Sequence, residues 1–274
     1  MKNIKIFQCF YDKNQEKNLD KSFFKLDNTK NLKPELREYY LNNICYEKSI
    51  EENLDLWGVF SWSYKSKMNI SGEEILNIIQ QNTEKDVYFF NPYYTTSLMY
   101  YNTWENGKYH HKHMISILES LFPLLNIDLK YLYDPMNTDD MFYCCYCIAN
   151  KKFWDGYNKI FLKYFECLNM LDEKIKKMHD SCAEYLKDQS LNYFPFIHER
   201  FLSCYIKMNN FNVNSFHIND KRSWNKRDKE HDDLRKESIL EKNKVKLREW
   251  LDKRSNYYGI GNGIADYLYE RCSW

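Results

Sequence analysis

The chain has 274 residues, enough for one α/β domain with a helical attachment but short for two full domains. Its 40 basic and 39 acidic residues give a formal net charge of +1, so no global field draws the molecule onto nucleic acid or anionic lipid. No secretory leader precedes the nine cysteines, and no stretch approaches the roughly 18 uncharged apolar residues of a membrane span. We therefore expect reduced thiols in a cytoplasmic protein.

The first hundred residues alternate between strand and helix patterns. Short apolar runs with β-branched and aromatic residues predict strands, and a proline or a capping box predicts the start of each intervening helix. The predicted elements are strands at 3–10, 54–62 and 87–90, and helices that begin after Pro34 and at Ser71, with Glu74 completing the capping box. This alternation predicts a mostly parallel sheet flanked by helices.

In such sheets ligands bind beyond the carboxyl ends of the strands. The residues that follow the three predicted strands are therefore the first candidates for a binding site. They are Tyr11 and Asp12, then Ser61 to Lys67, then Asn91 to Tyr94.

The rest of the chain is predicted to be mainly helical. Helices are predicted at 110–125, ending near Pro123, from Asn150 to about 187, and at 196–208, with strands at 141–149 and 213–217. Charge dominates residues 220–253, a pattern that predicts a solvent-exposed amphipathic helix, with packing across the core as an alternative. We expect the tail from 220 to 274 to support the fold or to dock a membrane or partner. We expect an α/β domain over 1–218 and a charged helical extension over 219–274.

The familiar nucleotide and metal motifs are missing: there is no Walker loop, no G-x-G-x-x-G and no H-E-x-x-H. The densest group of titratable side chains is His110, His111 and His113. On a helix these three side chains diverge too far to share one metal ion. Hydrogen bonding to a diphosphate or a hydroxyl is therefore the better functional interpretation.

Two further clusters lie beside or within apolar segments. Asp139 and Asp140 precede an apolar segment, where they can form a turn or hold a divalent ion near phosphates. Cys144, Cys145 and Cys147 lie in an apolar run, which favours core packing.

His198, Glu199 and Arg200 open a predicted helix. Glu199 can stabilise the positive end of that helix, with Arg200 in a salt bridge, or it can take a proton from an attacking sugar hydroxyl.

Several segments, taken in order, resemble the uncharacterised capsular and O-antigen glycosyltransferase-like proteins. These segments are DLWGVFSWSYKSK, DVYFFNP, MFYCCYCIANKKFWDGYNKIF and YFPFIHERFLSCYI. The resemblance covers residues 1 to about 218, and the order of the motifs carries it, since no single motif is specific. It implies a GT-A type α/β fold with a nucleotide-sugar donor at the amino-terminal half of the sheet.

The resemblance also implies roles for individual residues. Gln8, Tyr11 and Asp12 would lie near the nucleotide, and Lys65 and Asn91 near the diphosphate. Glu199, flanked by His198 and Arg200, would be the base of an inverting enzyme. Independently of the resemblance, the residue types make His110 and His111 candidates for donor binding and Asp139 and Asp140 candidates for a metal ion.

Two departures from the family pattern leave details open. Asn91-Pro92 stands where a D-x-D motif is expected, and His198 replaces the usual small residue before Glu-Arg. Both a mechanism that depends on Mg or Mn and a metal-independent mechanism are therefore kept as alternatives. The same holds for the inverting and the retaining stereochemical outcome.

The expected function is transfer of a sugar from a nucleotide-sugar donor, with UDP favoured over CDP or GDP, to a growing capsule or lipopolysaccharide glycan. The acceptor would be a glycan or lipid-linked glycan, which allows peripheral contact with the inner face of the cytoplasmic membrane. The alternatives are a non-catalytic scaffold of a polysaccharide-assembly complex and a nucleic-acid-binding protein that uses the basic residues of 221–254. Acidic residues interrupt that segment and weigh against nucleic acid.

Overall fold

The computed structural model describes residues 2–183, 191–217 and 224–274. Within these ranges the strands are Ile4–Phe10 (β1), Phe24–Asp27 (β2), Leu56–Ser61 (β3), Val87–Asn91 (β4), Cys147–Asn150 (β5) and Val213–His217 (β6). The helices are Glu38–Glu51 (α1), Tyr64–Met68 (α2), Gly72–Gln81 (α3), Tyr94–Ser97 (α4), Thr103–His110 (α5), Met114–Leu125 (α6), Lys130–Tyr133 (α7), Lys151–Cys167 (α8), Glu173–Asp180 (α9), Phe194–Asn209 (α10), Lys226–Leu240 (α11), Lys244–Tyr258 (α12) and Gly263–Arg271 (α13). Short 3₁₀ helices lie at Lys13–Asn18, Thr138–Asp140 and Leu168–Met170. No helix of the described ranges is long and apolar enough to cross a bilayer.

The described residues divide into two compact units that alternate along the sequence. One contains Met1–Pro92, Cys144–Leu162 and Asn209–Ile218, and the other contains Tyr93–Tyr143, Lys163–Met208 and Asn219–Trp274. We call the first the sheet unit and the second the helical unit.

The sheet unit is built on one six-stranded mixed sheet with the order β2-β1-β3-β5-β4-β6. β1 runs parallel to β2 and β3, and β4 runs parallel to β6. β5 is antiparallel to both of its neighbours, β3 and β4. Five strands therefore point the same way, which confirms the predicted α/β class and its mostly parallel sheet.

The contact between β3 and β5 is unusually close at Gly58. A Cβ atom added there would lie 2.0 Å from the carbonyl oxygen of Cys147. Because no side chain fits in that space, glycine is required at this point of β3. The neighbouring Trp57 stacks on Trp154 of α8 at a centroid distance of 4.5 Å, and the Trp154 indole N–H donates to the Trp57 carbonyl.

The predicted capping box of α3 is confirmed. The Glu74 N–H donates to the Ser71 hydroxyl at 3.2 Å, and the Ser71 N–H donates to the Glu74 carboxylate at 2.8 Å. This fixed start turns Ile75 and Ile79 into the sheet unit's core. The larger core set around them includes Ile6, Leu56, Phe60, Tyr64, Tyr88, Phe90, Tyr146 and Ile148.

Three predicted element boundaries are wrong. The helix predicted at 110–125 is α6, which begins at Met114 because α5 ends at His110, and which continues past Pro123 to the predicted end at Leu125. The strand predicted at 141–149 is restricted to β5, because Cys144 has a φ of 68°, outside the strand region. The helix predicted from 150 ends at Cys167 and is followed by the separate helix α9.

The prediction for residues 220–253 is also corrected, for its described part. This segment forms two packed helices, α11 and α12, separated by a turn in which Lys242 has a φ of 51°. It is not exposed on all sides: Arg235, Leu247 and Trp250 are fully buried. Arg235 donates to the carbonyl oxygens of Ser97 and Tyr101, each at 2.7 Å. The segment is thus part of the helical unit's interior.

Candidate functional site

The carboxyl ends of β1 and β3 meet at one edge of the sheet unit. Cys9 of β1 is in register with Ser61, the last residue of β3. Because β5 runs in the opposite direction, its amino end lies at this same edge, and the Tyr146 carbonyl there accepts the N–H of Phe90 in β4. Side chains from three strands are therefore gathered where a parallel sheet places its ligands.

Three hydroxyl groups contact one another at this edge. The Ser61 Oγ lies 2.9 Å from the Ser63 Oγ and 2.8 Å from the Tyr146 hydroxyl. Tyr146 is buried, whereas the two serines are half-buried at the rim. Burial raises the pKa of Tyr146 above its usual range, so its hydroxyl remains a proton donor at neutral pH. We call Ser61, Ser63 and Tyr146 the hydroxyl cluster.

A lysine of the following helix lies beside this cluster. The Lys67 Nζ on α2 is 5.9 Å from the centre of the Tyr146 ring and donates to the Cys144 Sγ at 3.8 Å. Lys67 is exposed and Cys144 is half-buried, so both are accessible from solvent. The edge thus combines hydroxyl donors, one cation and one thiol.

Gln8, expected near the nucleotide, lies beneath this edge. Its side chain is fully buried, donates to the Ser61 carbonyl at 3.1 Å and accepts the Asp20 N–H at 2.7 Å. The Asp20 carboxylate in turn accepts the N–H of Gly72 at the start of α3. Gln8 therefore holds the backbone of Ser61 in place.

Tyr11 and Asp12 follow β1 as expected. Asp12 is exposed and caps the 3₁₀ helix at Lys13–Asn18 by accepting the Asn14 N–H at 2.7 Å. Tyr11 is half-buried, and burial, together with the neighbouring Cys9 and Glu38, raises the pKa of its phenol above the usual range. Both residues lie at the end of the strand on which the prediction placed the nucleotide.

Lys65 and Asn91, the two residues expected near the diphosphate, differ in exposure. Lys65 is exposed on α2, two residues before Lys67. Asn91 ends β4 and is fully buried, in register with His217 of β6.

The helical unit brings together the predicted residues His110, His111, Glu199 and Arg200. His111 is buried, its Nδ1 lies 2.7 Å from the Ala183 carbonyl, and its ring lies 4.1 Å from that of Phe196. Burial lowers the pKa of His111 to about 4, and the Arg200 charge lowers it further. Burial and Arg200 also lower the pKa of His110. His111 is therefore neutral at pH 7.

The predicted catalytic residues lie in the first turns of α10. Arg200 is buried and donates to the Phe196 carbonyl at 3.1 Å and to the Asn106 side chain at 2.8 Å. The Glu199 carboxylate lies 3.9 Å from the Arg200 guanidinium, and its side chain is 33% exposed. A third of Glu199 thus faces solvent, as a residue that accepts a proton from a substrate must.

His198 points to the interior of the helical unit. It is 1% exposed, and its ring stacks on that of Phe194 at 5.9 Å. Burial lowers the pKa of His198 to about 3, so it is neutral at pH 7. Its contacts are those of a core residue.

Asp139 and Asp140 occupy the 3₁₀ helix at Thr138–Asp140. The Asp139 carboxylate accepts the Tyr94 hydroxyl at 2.5 Å and pairs with Lys236 at 2.9 Å. Burial raises the pKa of Asp140. Across the described ranges no group of three or more His, Cys, Asp or Glu side chains is arranged to hold a metal ion.

Sequence reasoning singled out the segment from Ser61 to Lys67 but not the individual side chains that matter in it. Tyr146 was missed because the sequence pattern placed it inside a strand. The sequence does show polar residues at the end of β3 and before β5. That these residues meet follows only from the antiparallel register of β5 with β3.

Comparison of the chain with protein-family models, with curated proteins and with solved structures found no match.

Proposed function

We propose that the chain is a glycosyltransferase that moves a sugar from a nucleoside diphosphate donor to a hydroxyl group of a growing capsule or lipopolysaccharide glycan. The observation that carries this proposal is the hydroxyl cluster with Lys67 at the carboxyl edge of a mostly parallel sheet. Hydroxyl donors and a cation suit the charged diphosphate that leaves during sugar transfer. A mixed α/β sheet is compatible with the GT-A type, which remains part of the proposal.

The sheet unit is assigned donor binding. Tyr11 and Asp12, at the end of β1, are proposed to contact the nucleoside, with uridine favoured over cytidine or guanosine. Gln8 is proposed to act as a positioning residue, because its two hydrogen bonds hold Ser61 and Asp20 rather than a ligand. Charge on the leaving diphosphate would be neutralised by Lys67, with or without Mg²⁺ or Mn²⁺.

Glu199 is proposed as the general base, since it is partly exposed and lies close to the buried Arg200 guanidinium. His111 is neutral at pH 7 and its ring is buried, so its proposed role is to support α10 rather than to contact the donor.

The experiment is calorimetric titration of the purified chain with a panel of UDP-, CDP- and GDP-sugars, each with and without Mg²⁺ and Mn²⁺. We expect selective binding of one nucleotide and one sugar. A chain that binds none of them under any condition is not a nucleotide-sugar-dependent transferase. A non-catalytic scaffold would give that result, and binding of single-stranded nucleic acid instead would favour the third alternative.

A further inference from the structure

We propose that Ser61, Ser63, Tyr146 and Lys67 form an oxyanion subsite that binds a diphosphate. The statement that its natural ligand is a sugar nucleotide rests on the proposed function. The subsite itself follows from the contacts of these four residues. The subsite assigns phosphate binding to Lys67 rather than to Lys65, the lysine that the sequence motif suggested.

The donors of the cluster favour an acceptor-rich ligand. The Ser61 Oγ contacts the Ser63 Oγ at 2.9 Å and the Tyr146 hydroxyl at 2.8 Å, and the Tyr146 hydroxyl also bonds with the Ser63 side chain. Because hydroxyl groups rotate, a serine at the rim can turn its O–H from these mutual contacts to an oxygen of a ligand. A phosphate oxygen offers acceptors and no donors, so it complements these O–H groups and the N–H groups of Lys67.

The four residues of the subsite differ in exposure: Tyr146 is buried, Ser61 and Ser63 are half-buried, and Lys67 is exposed. Tyr146 is 3% exposed and packs with Phe60 at a ring distance of 5.0 Å and with Tyr64 at 5.5 Å. Because these rings hold Tyr146 in place, its hydroxyl fixes the position of Ser61. A ligand would meet the half-buried serines and the exposed lysine at the rim.

Helix geometry separates the two lysines of α2. Residues two apart on a helix face different directions. Tyr64 and Met68 of α2 are buried, and the Lys67 ammonium reaches the Cys144 thiol and the Tyr146 ring. Lys65 is exposed and provides a control of the same charge, on the same helix.

The first experiment measures pyrophosphate and UDP binding by calorimetry for the wild type, Lys67→Met and Lys65→Met. Loss of a charge-assisted contact predicts at least about tenfold weaker binding for Lys67→Met, with Lys65→Met within about twofold of the wild type. Equal affinity of Lys67→Met and the wild type, or equal losses in both variants, would overturn the subsite. Ser61→Ala repeats the test without a charge change if Lys67→Met fails to fold.

The second experiment uses Cys144 as a reporter, because its Sγ lies 3.8 Å from the Lys67 Nζ. The wild type is alkylated with N-ethylmaleimide, and the labelled peptides are quantified by mass spectrometry. Bound pyrophosphate should slow labelling of Cys144 at least about threefold while leaving the exposed Cys182 unchanged. Equal protection of both thiols, or of neither at saturating pyrophosphate, contradicts the subsite.

The two proposals fail in different ways. Pyrophosphate binding that depends on Lys67, without binding of any nucleotide sugar, would leave the subsite standing and remove the proposed function. Nucleotide-sugar binding that is unaffected by Lys67→Met and Ser61→Ala would do the reverse. A chain that binds neither pyrophosphate nor any nucleotide overturns both.

Discussion

Arg254 donates a hydrogen bond to Glu105 at 2.7 Å in the interior of the helical unit, across 149 positions of sequence. The two side chains are 0% and 2% exposed, so water does not screen this ion pair. Arg254 also donates to the Met99 carbonyl and to the Asn262 side chain, and the Glu105 carboxylate accepts the Tyr101 N–H. The pair thus ties α12 to α5 and to the loop before it.

Breaking this ion pair should destabilise the helical unit strongly. Arg254→Met leaves a buried carboxylate without its partner, and we expect a loss of about 3–5 kcal/mol in the free energy of unfolding. Adding Glu105→Gln removes the uncompensated charge and should restore more than about 1 kcal/mol. Urea denaturation of the two single variants and the double variant measures the coupling. Additive losses would mean that the two side chains do not interact.

Gly58→Ala should destabilise the sheet unit. The new Cβ would meet the Cys147 carbonyl, and a backbone atom cannot move aside without disturbing the pairing of β3 with β5. We expect a loss of about 2–3 kcal/mol in the free energy of unfolding. Gly261→Ala is the matched control, because nothing lies within 4 Å of its added Cβ, and should change stability by less than about 0.5 kcal/mol. Equal effects in chemical denaturation would refute the close approach.

Glu199→Gln tests the proposed base. The substitution keeps the shape of the side chain but removes the proton acceptor, so turnover should fall at least about a hundredfold with donor affinity nearly unchanged. Single-turnover rate and thermal midpoint are measured on one preparation, with the exposed Glu166→Gln as the control. A folded Glu199→Gln variant with a near-normal rate would exclude Glu199 as the base. A lower midpoint with an unchanged rate would indicate a structural salt bridge.

Acid should weaken the helical unit through His231. This residue is 1% exposed and stacks on Trp250, and burial, with the charges of Arg235 and Arg254, lowers its pKa to about 3. In the unfolded chain the pKa of histidine is about 6.5. Between these values the unfolded chain binds a proton that the folded chain does not. The contribution of His231 to stability is therefore greatest above pH 6.5 and falls by up to about 1.4 kcal/mol per pH unit as the pH is lowered.

His231→Phe keeps an aromatic ring against Trp250 but cannot bind a proton. The slope of unfolding free energy against pH between 6.5 and 4.5 should therefore fall by up to about 1.4 kcal/mol per pH unit relative to the wild type. Tyr257→Phe alters a ring 5.8 Å from that of His231 without changing titration in this range, so its slope should match the wild type. Identical slopes for all three proteins would show that His231 is protonated in the folded chain.

Three of the strands that could be predicted from the sequence have mostly buried side chains. β1, β3 and β4 are mostly apolar runs, and each was predicted within one or two residues of its bounds. β2 was missed because it has four residues, of which only Leu26 is buried, so it carries no clear apolar pattern. β6 was predicted with its correct bounds.

The contacts that could not be predicted from the sequence join residues that are far apart along the chain. Arg235 and Arg254 look like solvated charges in a segment dominated by charge. Yet Arg235 donates to Ser97 and Arg254 donates to Glu105, more than a hundred residues earlier in the chain. Tyr146 enters the candidate site only because β5 is antiparallel to β3. Neither contact is encoded in a local pattern, whereas the polar ends of β1 and β3 are read directly from the sequence.

The central position of β5 has a consequence for the order in which the sheet can form. β3 and β4 are separated by only 25 residues of chain, but each pairs with β5, which is made more than fifty residues after β4. Until residue 147 has been synthesised, β3 and β4 each have an edge whose backbone N–H and C=O groups lack their partner strand, β5. Pairing these edges requires contacts distant in sequence, which slows folding and leaves aggregation-prone edges open during synthesis. For this sheet, β5 completes the centre before β6, the last of the six strands along the chain, is added at the edge beside β4.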